Sequence, residues 1–158
     1  ALGATVIVSE LSTARKDKAR DTGVADHVID PREQDPVALA RELTGGLGAD
    51  VAFECTSVPA VFNQLLTALR PGGVLQVVAL HPSEVTIDLG QVVMTEKVVQ
   101  GTIGYANVHP RAIELVRSGK VDLAPFITAK IPVEEIVERG YTVLHERPEE
   151  AVKILVSV

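Results

Sequence analysis

The chain has 158 residues and a mass of 16.8 kDa, with 46% hydrophobic and 23% charged residues, the balance of one folded domain and not of a disordered or low-complexity segment. Fifteen Lys and Arg against twenty-one Asp and Glu give a formal charge of -6, and only 3% of the residues are aromatic, so neither a phosphate-neutralising stripe nor a base-stacking platform is present and nucleic acid is excluded as a partner. The single cysteine, Cys55, allows no internal disulfide and no CxxC zinc site and points to a reducing, cytoplasmic setting, while no apolar stretch reaches the roughly 20 residues of a membrane span.

Strand-length apolar runs alternate with segments of helical period, which predicts repeated β-α units and a doubly wound, mostly parallel sheet. The 25 valines fit buried parallel strands. Residues 4–9 read as a first strand, and Ser12 or Thr13 caps a helix to about Asp21 that Gly23 closes. Residues 24–29 give a second strand, broken by Asp30-Pro31. Asp35 then caps a helix with Pro36 in its first turn and Leu39, Ala40 and Leu43 on one face. Thr44-Gly45-Gly46-Leu47-Gly48 leads into a strand at residues 50–54, with Cys55-Thr56-Ser57 at its carboxyl end. This glycine-rich turn follows a helix and enters a strand, the reverse of phosphate-cradling geometry, and is read as a connector.

Pro59 opens the next helix, in which Val61, Leu65, Leu66 and Leu69 recur at helical spacing, and Arg70-Pro71-Gly72-Gly73 ends it. A strand is expected at residues 74–80, a short exposed strand at 83–89, a helical segment at 91–96, and another strand at 98–103 ending in Gly104. Residues 110–117 read as an amphipathic helix ended by Ser118-Gly119. Pro125 and Ile127 lead into a second Pro-initiated helix at 132–144, and residues 151–158 form a closing apolar strand. No internal repeat or Pro-, Gly- or Ser-rich linker interrupts this order.

In a doubly wound sheet ligands sit outside the carboxyl ends of the strands, so Glu10, Cys55, Thr56, Ala79, Leu80 and Thr102 to Gly104 are expected around one crevice. A carboxylate at the position of Glu10 can accept two hydrogen bonds from vicinal ribose hydroxyls and would repel a 2′-phosphate, which favours NAD over NADP. The alternative is a solvated turn residue. Arg15, one turn into the following helix, could lie against an adenosine ribose or phosphate, whereas Leu11 and Ser12 stand where an arginine would signal a 2′-phosphate site. His27, His81, His109 and His145 are scattered, so no metal site is assigned, and Cys55 reads as a small buried side chain rather than a nucleophile. No GxSxG, P-loop or HExxH motif occurs, and no catalytic residue is assigned.

Across essentially its whole length the chain resembles the cofactor-binding half of the medium-chain, zinc-type alcohol dehydrogenase family. The resemblance rests on Ala1-Leu2-Gly3-Ala4 running into the first strand, Thr44-Gly45-Gly46-Leu47-Gly48-Ala49-Asp50, and Leu69-Arg70-Pro71-Gly72-Gly73. It also rests on residues 96–104, Ser118-Gly119-Lys120-Val121-Asp122, Ile131-Pro132-Val133-Glu134-Glu135 and Val152-Lys153-Ile154-Leu155-Val156-Ser157. Together these most resemble the 2,3-butanediol dehydrogenase branch, with sorbitol and threonine dehydrogenases close behind.

The resemblance implies a Rossmann-type sheet that lacks its first strand and glycine turn, with residues 1–130 as the NAD-binding part and 131–158 as a segment that returns to a catalytic domain. It implies Glu10 on the adenosine ribose with Arg15 beside it, Cys55 and Thr56 near the adenine, and Leu80 and the Thr102 to Gly104 backbone facing the nicotinamide carboxamide. Ala79 then gives the ring room, and His145 stands where a basic residue would reach the pyrophosphate. NAD is the implied cofactor, zinc is implied outside this chain as the Lewis acid, and a small secondary alcohol or diol is the implied substrate. Further expectations are a homo-oligomer, an isolated chain without activity, and a closing strand that lacks its normal strand partners and leaves an unpaired apolar edge. An S-adenosylmethionine-dependent methyltransferase and a non-catalytic binding or dimerisation module are the alternatives, and the order of the last elements favours the dehydrogenase.

Overall fold

The computed structural model describes residues 3–158; Ala1 and Leu2, which open the first segment quoted for the resemblance, lie outside them. The chain divides into two units, Ala1–Glu33 with Ala106–Val158 and Gln34–Tyr105. In the first unit, β1 (Ile7–Ser9) runs into α1 (Thr13–Asp21), and β2 (His27–Ile29) lies parallel to β1. The Ser12 hydroxyl accepts from the Arg15 amide at 3.4 Å, and Gly23, at φ +62°, turns the chain out of the helix. Both strands are shorter than the apolar runs that announce them. The Asp26 carboxylate accepts from the Val6 amide at 2.8 Å, while the Val6 carbonyl accepts from Asp26 and His27, so a side-chain cap replaces ladder pairing there.

The second unit opens with α2 (Pro36–Leu43), whose first turn is capped by Asp35 accepting from the Val37 amide at 2.9 Å. It continues with β3 (Ala49–Glu54), α3 (Pro59–Ala68), β4 (Leu69–Val77), α4 (Leu89–Met94) and β5 (Val98–Gly101), and its strands form a parallel sheet in the order β3-β4-β5. The connector before β3 demands glycine at position 48. A Cβ there would stand 2.5 Å from the Ala68 carbonyl oxygen at φ +107°. The Thr44 hydroxyl closes the same turn, donating to the Ala40 carbonyl and accepting from the Gly48 amide, each at 2.7 Å.

Three expectations are corrected in this unit. β4 begins at Leu69, not at residue 74, and takes Arg70-Pro71-Gly72-Gly73 in as an irregular stretch between the pairs Ala49↔Leu69 and Val51↔Val74; it ends at Val77, short of residue 80. Residues 83–89 form no strand: their alternation packs half-buried Val85 and Ile87 on the core, while the Thr86 carbonyl accepts from the Asn63 side chain at 3.0 Å instead of from a neighbouring strand. On α3 the buried positions are Phe62, Leu66 and Ala68, with Val61 and Leu65 only half-buried. The core joins Phe62 and Leu66 to Ala52 of β3 and Leu69 and Leu75 of β4. Among the described residues β3 and β5 each keep one unpaired edge.

The chain re-enters the first unit with α5 (His109–Arg117) and a single 3-10 turn at Ala124–Phe126. Residues 127–132, expected to lead into a helix, form strand β6 (Ile127–Pro132). Pro132 is read as a helix opener from sequence, but it ends the strand in extended geometry, φ -71° and ψ 158°, where a missing amide hydrogen costs little. A 3-10 turn (Val133–Glu135), a π-helical turn (Ile136–Tyr141), α6 (Thr142–Glu146) and a last 3-10 turn (Pro148–Glu150) follow. β7 (Lys153–Ser157) then pairs parallel with β6, with Ile131 opposite Val156. The closing strand therefore has a partner, contrary to expectation, because β6 was not legible as a strand. Among the described residues the strands fall in three parallel sheets, β1-β2, β3-β4-β5 and β6-β7.

Candidate functional site

Parallel strands put all their carboxyl ends at one edge of a sheet, and in the second unit the register makes this concrete. Glu54, Val77 and Gly101 lie in one row across β3, β4 and β5. Directly beyond that row stand Cys55 and Thr56, then Ala79 and Leu80, then Thr102 to Gly104. Backbone bonds hold these exits together: the Glu54 carbonyl accepts from the Val78 amide at 2.9 Å and the Ala79 amide at 3.1 Å, and the Val77 carbonyl accepts from Thr102 at 3.1 Å. Six of the eight expected site residues are thus gathered at one sheet end. Leu80, 76% exposed, and Thr102 and Gly104 present open surface, and Gly104 takes φ +69°.

Glu54 is a buried polar side chain at this sheet end that the sequence did not single out. It is fully buried, yet it is a carboxylate, which is costly unless every oxygen finds donors. One oxygen accepts from the Thr56 amide at 2.7 Å, the Thr56 hydroxyl at 2.6 Å and the Ser57 amide at 3.0 Å. The other lies 2.8 Å from His81 Nε2, and the imidazole stands edge-on to the Phe62 ring, 6.1 Å away. Burial works to raise the Glu54 carboxyl, but the bonds from Thr56 and His81 outweigh it and hold the group below the usual carboxylate range. The signal was present in the sequence: Ala52 and Glu54 share the inward parity of β3, and an acid at an inward position demands donors, which Thr56 and Ser57 supply two and three residues on.

The same parity corrects the reading of Cys55. Val51, Phe53 and Cys55 alternate onto the exposed side, so the thiol is exposed rather than a small core group. Lost hydration and the Glu54 charge both push the thiol up, away from the thiolate.

The other two expected residues belong to the first unit. Glu10 follows β1, its amide donating to the Ile29 carbonyl at 3.1 Å and its Oε1 accepting from the Ser12 amide at 2.8 Å. Its Oε2 has no hydrogen-bond partner among the described residues. Arg15 is exposed and donates from its guanidinium to the Pro148 carbonyl at 3.3 Å. His145, on α6, is exposed as well. The turn that carries Glu10 is braced from β2: Arg32 donates to the Leu11 carbonyl at 3.3 Å and to Asp30, and buried Asp30 also takes Lys16 Nζ. Hydrogen bonds from Arg32 and Lys16 hold the Asp30 carboxyl far below the usual carboxylate range.

Among the described residues no group of three His, Cys, Asp or Glu could hold a metal, and no helix is long and apolar enough to cross a membrane.

The family model for zinc-binding dehydrogenases matches residues 1–118. The (R,R)-butanediol dehydrogenase of Neisseria gonorrhoeae is 47% identical over 99% of this chain and 44% of its own length, and that of Bacillus subtilis is 35% identical over the same shares. The crystal structure of 2R,3R-butanediol dehydrogenase from Bacillus subtilis superposes on 96% of this chain and 43% of its own, with a TM-score of 0.88 and 33% identity. The chain thus spans less than half the length of the relatives it matches.

Proposed function

The chain belongs to the zinc-binding dehydrogenase family, and from that premise we propose that it forms the dinucleotide-binding part of an NAD-dependent secondary alcohol or diol dehydrogenase. The observation that carries the reading is Glu10. One of its oxygens is anchored by the Ser12 amide while the other has no partner among the described residues, a carboxylate preset at a strand end to accept from a ribose diol and to repel a 2′-phosphate. Family membership sets aside the methyltransferase alternative.

In this reading Arg15 lies beside the adenosine and Cys55 and Thr56 line the adenine side. Leu80 and the Thr102 to Gly104 backbone face the carboxamide, and Ala79 leaves room for the ring. His145 is the candidate for the pyrophosphate. Bound NAD would supply the hydride acceptor, and these residues would bind and orient it. In this reading zinc is held outside this chain, where it would supply the Lewis acid. In the same reading residues 1–130 hold the cofactor and 131–158 form a segment shared with a catalytic domain. A butanediol-like substrate, a cytoplasmic setting and self-association are also part of the proposal, the last supported by the free edge of β5 with Val98 and Val99 exposed.

Calorimetric titration with NAD, NADP and S-adenosylmethionine tests the reading. NAD is expected to bind in preference to the others, and Glu10→Ala to weaken it about 10-fold or more, the value of a lost charge-assisted bond. Preferential binding of S-adenosylmethionine would overturn it. Turnover of an alcohol by this chain alone would overturn the assignment of binding and orientation, without bond chemistry, to these residues.

A further inference from the structure

Glu54 stands at the junction of two loops, and neither loop is regular structure. The loop after β3 carries Ser57 at φ +63°, a left-handed conformation unfavourable for a residue with a Cβ, and the Ser57 amide is held by Glu54 Oε1. The loop after β4 carries His81, whose Nε2 meets Glu54 Oε2. His81 Nδ1 is buried and has no hydrogen-bond partner among the described residues. An imidazole in this place pays for a desolvated nitrogen that an apolar side chain packed on Phe62 would avoid. Packing alone therefore does not account for the histidine.

We propose that Glu54 and His81 are positioning residues, one buried carboxylate locking the 55–58 loop to the 79–81 loop so that Thr56, Ala79 and Leu80 are set as a unit for the dinucleotide. The imidazole carries its proton on Nε2 and donates that N–H to Glu54 Oε2, and its bare Nδ1 is the cost of that orientation. The carboxylate spends one oxygen on each loop, so loosening either loop frees the other. The proposal rests on the reading of this strand-end row as a dinucleotide site, and its test separates the two.

Amide hydrogen exchange, imidazole nitrogen NMR and NAD titration on the full chain decide it. His81→Phe keeps a ring against Phe62 but removes the donor. It is expected to speed exchange at Thr56 and Ser57, which it does not touch, about 10-fold or more, to leave α1 amides unchanged, and to weaken NAD about 10-fold. His81→Gln, which retains an N–H donor, is expected to restore protection at Thr56 and Ser57 to within about 3-fold. Nitrogen shifts of the unsubstituted chain are expected to show the proton on Nε2, a measurement that stands even where a variant fails to fold.

A ring whose only N–H is on Nδ1, or faster exchange confined to residues 79–81 in His81→Phe, would overturn the coupling. Unchanged NAD affinity in a His81→Phe chain with loosened loops would overturn the positioning role. Absence of NAD binding by the unsubstituted chain would instead sink the dinucleotide reading, and the exchange data would still decide the coupling.

Discussion

Each of the two units buries a carboxylate at the end of a strand, but they surround it differently. In the second unit Glu54 lies beside an apolar cluster of Ala52, Phe62, Leu66, Leu69 and Leu75 and is satisfied by amides, a hydroxyl and an imidazole. In the first unit the buried apolar residues are fewer and smaller, Ala19, Ile29, Ile131 and Ala151, and Asp30 is held by the cations Lys16 and Arg32. An apolar core can lend its rigidity to a carboxylate held mainly by neutral donors. A unit with little core relies on charge, which water and protons can reach.

The largest expected effect lies in the second unit. Leu66 is fully buried, and Leu66→Ala is expected to cost about 3 kcal/mol by lost transfer energy and cavity, read from chemical denaturation; a loss under about 1 kcal/mol would show that the cluster is not what holds this unit. Next comes Asp30→Asn, which leaves buried Lys16 without its partner and is expected to lower the melting temperature more than Arg32→Gln, whose side chain is 64% exposed.

Acid should separate the wild type from this variant. Because the folded-state pKa of Asp30 is depressed, its stabilisation is fully present above the unfolded value of about 4 and is lost as pH falls below it. The first unit is expected to loosen across that range in the wild type and to lose this pH dependence in Asp30→Asn, followed by exchange of β1 and β2 amides. An equal slope in both would remove the ionic half of the comparison. The smallest effect is a gain. Ser57→Gly relieves a left-handed φ at the cost of a freer unfolded chain and is expected to add about 0.5 kcal/mol, with denaturant midpoints as the measure.

Much of this was legible in the sequence where one residue type answers one local geometric demand. Ser12 and Asp35 cap the helices expected of them, Gly23 closes α1, and the connector glycine at 48 is required by the approach of Ala68. What was hidden depends on partners distant in sequence. β6 reads Ile-Thr-Ala-Lys-Ile-Pro, and only pairing with β7, some 25 residues on, makes it a strand and Pro132 its end. Among the candidate residues, the place of Glu10 just after β1 and of the exits of β3, β4 and β5 in one row followed from the parallel order of the strands. Glu54 did not, because its role comes from His81, 27 residues away and classed among scattered histidines.

The π-helical turn at Ile136–Tyr141 has a consequence for length. Its closing bond runs from the Thr142 amide to the Val137 carbonyl, five residues back, whereas the next turn closes over four, from Arg147 to Val143. The turn therefore stores one residue that an α-helical path would not use. This is where the crossover between β6 and β7 can shed a residue at least expense, the slack being drawn from the widened turn while Ile131 stays opposite Val156. Elsewhere in the crossover a deletion would have to be taken up by rotating a helix face or slipping the ladder.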